Sequence, residues 1–398
     1  MVVLFLLSVI QAKGQMIPHR LQANGKAITL NLPAGYDVQV ALDGLKRVRF
    51  MAKSPDGRIF ATDMFNRTDN SRGQVLILDG WDSSSNHFAR VIPYLQHLRN
   101  PNSIAFFTDA SGQTWLYVAL TDRLVRYHYK SGDIQPSGEP EVLAHYPDYG
   151  LDYKYGGWHL TRTVAFGSIA GKPRMFVSVG SSCNACAEKE KVRATISVMD
   201  PDGNHSMIVV KNVRNAVGLQ WDEASSSLLA TNMGDDQLGD KAPEDTLLRF
   251  SAAELVSVFT SGKPIDAGWP ACYIEGGKVH PDPELGKAPG VCNGVKVPLT
   301  GFAAHSSPLG VEKVSNGEYL VALHGAGHPR IGTGYRVVSV TETDWKPKDF
   351  MTGFLETTAG RPHVAGRPCG ILRLDKDRYL ITDDILGTVY VVFRPGNH

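Results

Sequence analysis

Net charge is nearly absent from this 398-residue chain, in which 41 Lys and Arg oppose 40 Asp and Glu to leave +1 at pH 7. With both signs interspersed, the chain carries no basic stripe for nucleic acid and no polybasic patch for a membrane surface. Long apolar runs are also missing. Residues 2–10, Val-Val-Leu-Phe-Leu-Leu-Ser-Val-Ile, stop at nine, whereas a membrane span needs about 20. Nine is the length of a signal-peptide core, and Ala12 and Gly14 supply small residues just after it, so a secretory leader is predicted over 1–14 and export with it.

Cysteine is scarce, at five residues. The single C-x-x-C, Cys183 and Cys186, has no second copy to complete a zinc site, no βαβ context for a thioredoxin motif and Ala187 where a haem anchor requires His. Cys272 and Cys292 flank a Pro- and Gly-rich loop, and Cys369 is left over. The expectation is local disulfides in an oxidising compartment. At 42% hydrophobic and 20% charged, the chain has ample core, which excludes a disordered protein. Forty Gly and 23 Pro suit many short strands rather than long helices.

One pattern recurs: an apolar strand, a polar turn, a second apolar strand, then a third. The second strands read RIFATDM (58–64), WLYVAL (115–120), MFVSVG (175–180), LLATNMG (228–234), YLVALHG (319–325) and YLITDD (379–384), with starts 57, 60, 53, 91 and 60 residues apart. Alternation, β-branched residues and Asp-Gly or Asn-Gly turns mark hairpins. Six such meanders predict an all-β fold, a six-bladed β-propeller over 27–398, because radial repetition protects the edges that isolated meanders expose. The 91-residue interval predicts a long loop insertion between the fourth and fifth blades, over residues 235–305. YDVQVAL (36–42) is expected to close the ring with the last blade.

In a propeller, the start of each first strand and the end of each second strand share one mouth. The former positions hold Arg47 and Arg49, Asn102, His159 with Arg162, Arg214 with Asn215, His305, and Arg367. The latter hold Asp63, Asp122, Ser181, Gly234 with Asp235, His324, and Asp383 with Asp384. His or Arg at five of six equivalent positions fits a pocket for a polyanionic ligand and a hard cation. Asp63, Asp383 and Asp384 read as turn chemistry.

At these residues the sequence resembles the soluble quinoprotein sugar dehydrogenases. The segments that carry the resemblance are GGWHLTRTVAF (156–166), MFVSVGSSCNAC (175–186), MDPDG (199–203), VRNAVGLQWD (213–222), TNMGDD (231–236), DAGWPACY (266–273), HSSPLGV (305–311) and GRPCGI (366–371). They are most similar to the sorbosone and pyranose dehydrogenase branch. The resemblance implies pyrroloquinoline quinone (PQQ) and calcium in the axial mouth. It implies His159 as the general base that takes the proton of a sugar hydroxyl while hydride moves to the quinone. It implies Arg214 and Asn215 on the quinone oxygens, and backbone carbonyls of Gly234 and Asp235 on calcium. Where soluble glucose dehydrogenase has a Lys after the fifth blade's second strand and two Arg before the sixth, this chain has His324 and Arg367. Arg49, Arg361 and Arg330 are candidates to complete the cations for the quinone carboxylates.

The implied function is oxidation of an aldose or related sugar, with a separate electron acceptor because no haem motif is present. Two other readings share the scaffold. A calcium-dependent lactonase or other hydrolase calls for carboxylate and Asn side chains converging on the ion. A non-catalytic propeller binding protein or glycan would not bring His159, Arg214 and Asn215 to one cavity.

Overall fold

The structure is a computed structural model that describes residues 14–151 and 159–396. Most of the predicted leader, up to residue 13, lies outside the described residues, as does Trp158 beside the proposed base.

Six blades form a ring, antiparallel except where the short strand Ile265–Asp266 adds in parallel to the outer edge of the third. Blade 1 runs from Val48–Lys53 to His87–Leu98, blade 2 from Ser103–Thr108 to Glu141–His145, and blade 3 from Arg162–Ile169 to Met207–Lys211. Blade 4 starts at Leu219–Asp222, blade 5 runs from Pro308–Ser315 to Lys348–Met351, and blade 6 starts at Pro368–Arg373. The strand Asp37–Leu42 pairs with Thr388–Phe393 as the outer strand of blade 6, so the ring closes as the sequence implies. An N-terminal hairpin, Met16–Ala23 with Lys26–Pro33, precedes the propeller, and the boundary predicted at residue 27 falls inside it. The hairpin packs Leu30 and Leu32 against Phe350 and Phe354, beside blades 5 and 6.

Alternating apolar residues on each sheet face are buried against the next blade. Between blades 1 and 2, Phe60 and Val75 meet Leu116 and Val118. Between blades 3 and 4, Phe176 and Ile196 meet Leu228 and Ala230, and between blades 6 and 1, Val389 and Val391 meet Val48 and Ala61. Nearer the axis, hydroxyls stitch the ring at five junctions. Thr62 donates to the Asn102 carbonyl, Thr121 to Leu160, Ser178 to Ala216, Thr231 to Leu309 and Thr382 to Arg49. These bonds are buried, so each satisfies a backbone oxygen that would otherwise cost about 1–3 kcal/mol. They also fix where each first strand starts, and therefore where the mouth residues point.

The long insertion lies one strand earlier than the sequence reading placed it. The chain leaves after the third strand of blade 4, Asp245–Ser251, and returns as its fourth strand, Thr300–Phe302. A three-residue strand shows no alternation, which is why the sequence placed the insertion between blades. Within it, the helix Ala252–Ser261 starts with a Ser251/Glu254 capping box and ends at Gly262 in the left-handed region, φ 67°. Cys272 is bonded to Cys292 and Cys183 to Cys186, as expected, and Cys369 is free and buried. Among the described residues, no helix is long and apolar enough to cross a membrane.

Candidate active site

The ring geometry places a cavity of about 400 Å³ at the axial mouth. Six of the sequence-selected residues, Arg47, Arg49, His159, Asn215, His324 and Arg367, line it together. Val217, Leu309 and Met233 give it an apolar floor.

One side is a cationic wall built around a carboxylate. Asp384 accepts from Arg47 Nη2 at 2.6 Å, from Arg49 Nη1 at 2.7 Å and from His324 Nε2 at 2.9 Å. It is buried, and burial pushes its carboxyl up, yet His324, Arg47 and Arg49 hold it well below the usual carboxylate range. Reading Asp384 as turn chemistry is therefore corrected. Its neighbour Asp383 does cap the turn, accepting from the Arg367, Ile385 and Leu386 amides, and Asp63 accepts from the Lys46, Arg47 and Phe65 amides. Because Asp384 is ionised, the His324 proton sits on Nε2, and Nδ1 faces Arg367 Nη1 at 3.4 Å as an acceptor. Burial, joined by Arg367 and Arg49 and opposed by Asp384, pushes the imidazole down to about 4, so His324 is neutral at pH 7. Arg367 is fixed by the Gly325 and Ala326 carbonyls and stacks over the Tyr335 ring. Arg67, exposed on a loop after the second strand of blade 1, adds a fourth guanidinium to the lining. No strand periodicity announces it in the sequence.

The opposite side carries His159. Its Nδ1 lies 3.1 Å from the Ser181 carbonyl and 2.9 Å from Ser181 Oγ. Ser181 spends its own hydroxyl proton on the Cys183 carbonyl at 2.7 Å. At Nδ1 the imidazole must therefore donate, which makes Nε2 the basic atom. Burial and then the Arg214 charge hold the imidazole well below 6.5, so it is unprotonated at neutral pH. Gly180 permits the close approach of the two functional groups, since a Cβ there would lie 2.5 Å from Asn215 Oδ1 and 2.6 Å from His159 Cβ. Gly180→Ala should therefore displace both and lower kcat/KM by about a hundredfold with an unchanged circular-dichroism spectrum; steady-state kinetics checks it, and a near-normal rate would show that the two side chains tolerate the shift.

Other sequence-selected residues lie outside this lining. Arg214, Gly234 and Asp235 line an adjoining depression with Trp269 and Tyr273. Arg214 Nη1 donates to the Gly234 carbonyl at 2.6 Å. Asp235 is buried and its carboxyl is raised by burial, and Asp245, which accepts from the Gly234 and Ser307 amides, is pushed up to about 7 for the same reason. His305 leaves the axis and bonds to Asp236 and the Gly239 carbonyl. Arg330 and Arg361, candidates for the quinone carboxylates, line a separate pocket with His328, Pro329 and Pro362.

No family model matches the chain. A Borreliella burgdorferi protein described as "Uncharacterized protein" is 23% identical over 392 residues, 92% of this chain and 91% of that one. The holo PQQ domain of a pyranose dehydrogenase from Coprinopsis cinerea superposes with a TM-score of 0.74 over 92% of this chain and 97% of its own, at 18% identity. A calcium structure of a Trichoderma reesei carbohydrate-active enzyme of family AA12 matches at TM-score 0.74 over 91% and 96%, at 16% identity. The chain has the fold of the PQQ-dependent sugar dehydrogenases. Within that fold, the soluble aldose sugar dehydrogenase of Escherichia coli in its apo form is more distant, with a TM-score of 0.58 over 90% of this chain and 99% of its own, at 10% identity.

Proposed function

We propose that the protein oxidises a hydroxyl of an aldose or related sugar, passing hydride to PQQ held in the axial cavity and electrons onward to an external acceptor. The observation that carries this reading is one cavity with a tricarboxylate-matching cationic wall on one side and a neutral imidazole base on the other. Arg47, Arg49, Arg67 and Arg367 supply four guanidiniums and Asp384 offsets one, which leaves three positive charges. PQQ carries three carboxylates, and its flat rings suit the apolar floor. When bound, the quinone supplies an electrophilic carbonyl that accepts the hydride.

The chain's own residues do the rest. His159 Nε2 takes the hydroxyl proton as the carbon gives up its hydride, so an alcohol becomes a carbonyl: one hydrogen leaves as a proton to the imidazole and the other leaves with both electrons as hydride. The Ser181 acceptors hold the ring in the tautomer this requires. Asn215 faces the same cavity, whereas Arg214 lies in the adjoining depression and its charge acts on the His159 imidazole.

Gly234 and Asp235 are the residues that would hold calcium. A backbone carbonyl next to buried, under-compensated carboxyls is the donor chemistry of a hard cation. Arg214 Nη1 already donates to the Gly234 carbonyl, so a bound ion would have to share that oxygen or displace the guanidinium from it. Export fits the two disulfides. The hydrolase reading asks for converging carboxylates, whereas this cavity is lined with guanidiniums. The test is reconstitution: purified protein given PQQ and calcium should reduce a redox dye only when a sugar is added. Sugar-independent or absent reduction across a panel of aldoses would refute the assignment.

A further inference from the structure

The loop at residues 181–186, which follows the second strand of blade 3, touches both reactive arms of the site. Its first residue, Ser181, orients His159. Its fourth, Asn184, grips Arg214 along one edge of the guanidinium: Nε donates to the Asn184 carbonyl at 2.8 Å and Nη2 donates to Asn184 Oδ1 at 2.6 Å. The same two oxygens accept from Trp269 Nε1 at 3.1 Å and from the Asp236 amide at 3.0 Å. Four donors thus fill the lone pairs of both oxygens. Trp269 comes from the insertion of blade 4 and Asp236 from the loop that follows Gly234, so one asparagine ties three segments to the guanidinium.

The backbone bends over residues 182–185, where Asn184 presents its main-chain and side-chain oxygens to one guanidinium. The Cys183–Cys186 disulfide closes that bend. From behind, Glu188 accepts from the Ser182 amide at 2.6 Å and from Ser182 Oγ at 2.7 Å, and the Tyr149 hydroxyl donates to the Ser182 carbonyl. The bend is therefore covalently and polarly fixed, independently of the blade core.

We infer that Asn184, held by the Cys183–Cys186 disulfide, is a positioning residue that keeps the Arg214 guanidinium in register with the His159 imidazole. The disulfide then serves the geometry of the site more than the stability of the propeller, whose ring is closed elsewhere by Asp37–Leu42. The kinetic part of this inference rests on the proposed dehydrogenase reading; the geometric part does not.

The test uses the full chain and three variants: Asn184→Ala, Asn184→Asp, and Cys183→Ser combined with Cys186→Ser. Among the described residues the Asn184 amide nitrogen donates no hydrogen bond, so Asn184→Asp keeps every acceptor that matters. Two quantities are read: kcat and sugar KM of the PQQ-loaded enzyme, and hydrogen exchange of Arg214 Nε–H by NMR without any quinone. Asn184→Ala and the double variant should lose about tenfold or more in kcat with KM within about threefold, and the slow Nε–H exchange should vanish. Asn184→Asp keeps both acceptors and should restore the slow Nε–H exchange, although its carboxylate offsets the Arg214 charge. Wild-type kcat and exchange in Asn184→Ala, or equal loss of the slow exchange in Ala and Asp, would overturn the inference. If the double variant does not fold, Asn184→Ala decides alone. If the wild-type protein reduces no dye, the dehydrogenase reading fails, while Nε–H exchange still decides whether Asn184 holds Arg214.

Discussion

His159→Ala is expected to lower turnover by about 10²- to 10⁴-fold, the range for loss of a positioned general base, while PQQ affinity stays near the wild-type value. The separation follows from where the groups sit. The cations that match the carboxylates lie on the Asp384 side of the cavity, and His159 lies opposite, bonded to Ser181. Removing the imidazole deletes the proton acceptor and leaves the anion-binding wall intact. The wild-type pH profile carries a second check. Burial and Arg214 lower the His159 pKa, so the neutral, basic form persists as pH falls below 6.5. kcat/KM should be flat through neutrality and lose its value only well into the acid range. An acid limb centred at or above 6.5, or full turnover in His159→Ala, would remove His159 as the base.

The largest expected effect on stability is at Asp384. Its side chain is fully buried against Arg47, Arg49 and His324. Asp384→Ala leaves two guanidiniums without their counter-charge in a site largely closed to water, and breaking a buried pair from one side costs about 3–5 kcal/mol. Denaturant unfolding of the two proteins at pH 7 measures it. The pH dependence has a definite sign. A carboxyl whose pKa is depressed in the folded state stabilises the fold above the ordinary carboxyl range, about 4, and that contribution is lost as pH falls below it. The variant lacks this contribution, so its stability should decline less steeply between pH 4 and pH 2 than that of the wild type. Quinone binding should weaken as well, because Arg47 and Arg49 lose the acceptor that aims them. Equal stability of the two proteins at pH 7 would show that water or a shifted side chain replaces the carboxylate.

Much of this architecture is legible in the sequence because each second strand is a buried apolar run with a recognisable start and end, and six of them, evenly spaced but for one 91-residue interval, leave few alternatives. The closing strand is legible for the same reason: Asp37–Leu42 is an extra strand with no meander of its own. Outer strands are harder, as Thr300–Phe302 illustrates, since three residues at a rim carry no period. At the site, ring position was enough to select Arg49, His159, Asn215, His324 and Arg367, because strand starts and ends point to one mouth. It did not separate Asp384 from Asp383. Adjacent in sequence, they point opposite ways, one to a turn and one under the arginines. Ring closure was the available signal, since it sets the end of blade 6 beside Arg49 of blade 1. Likewise Arg214 and Asn215, neighbours in the chain, face two different pockets, and Arg330 and Arg361 lie on loops whose course the repeat pattern does not determine.

The central claim is that the axial cavity is built for a tricarboxylate quinone. Calorimetric titration of the purified protein with PQQ, with and without calcium, tests it most directly. The account predicts saturable one-to-one binding that tightens when calcium is added and weakens as salt rises, because guanidinium–carboxylate pairs carry the recognition. No binding with or without calcium would contradict it.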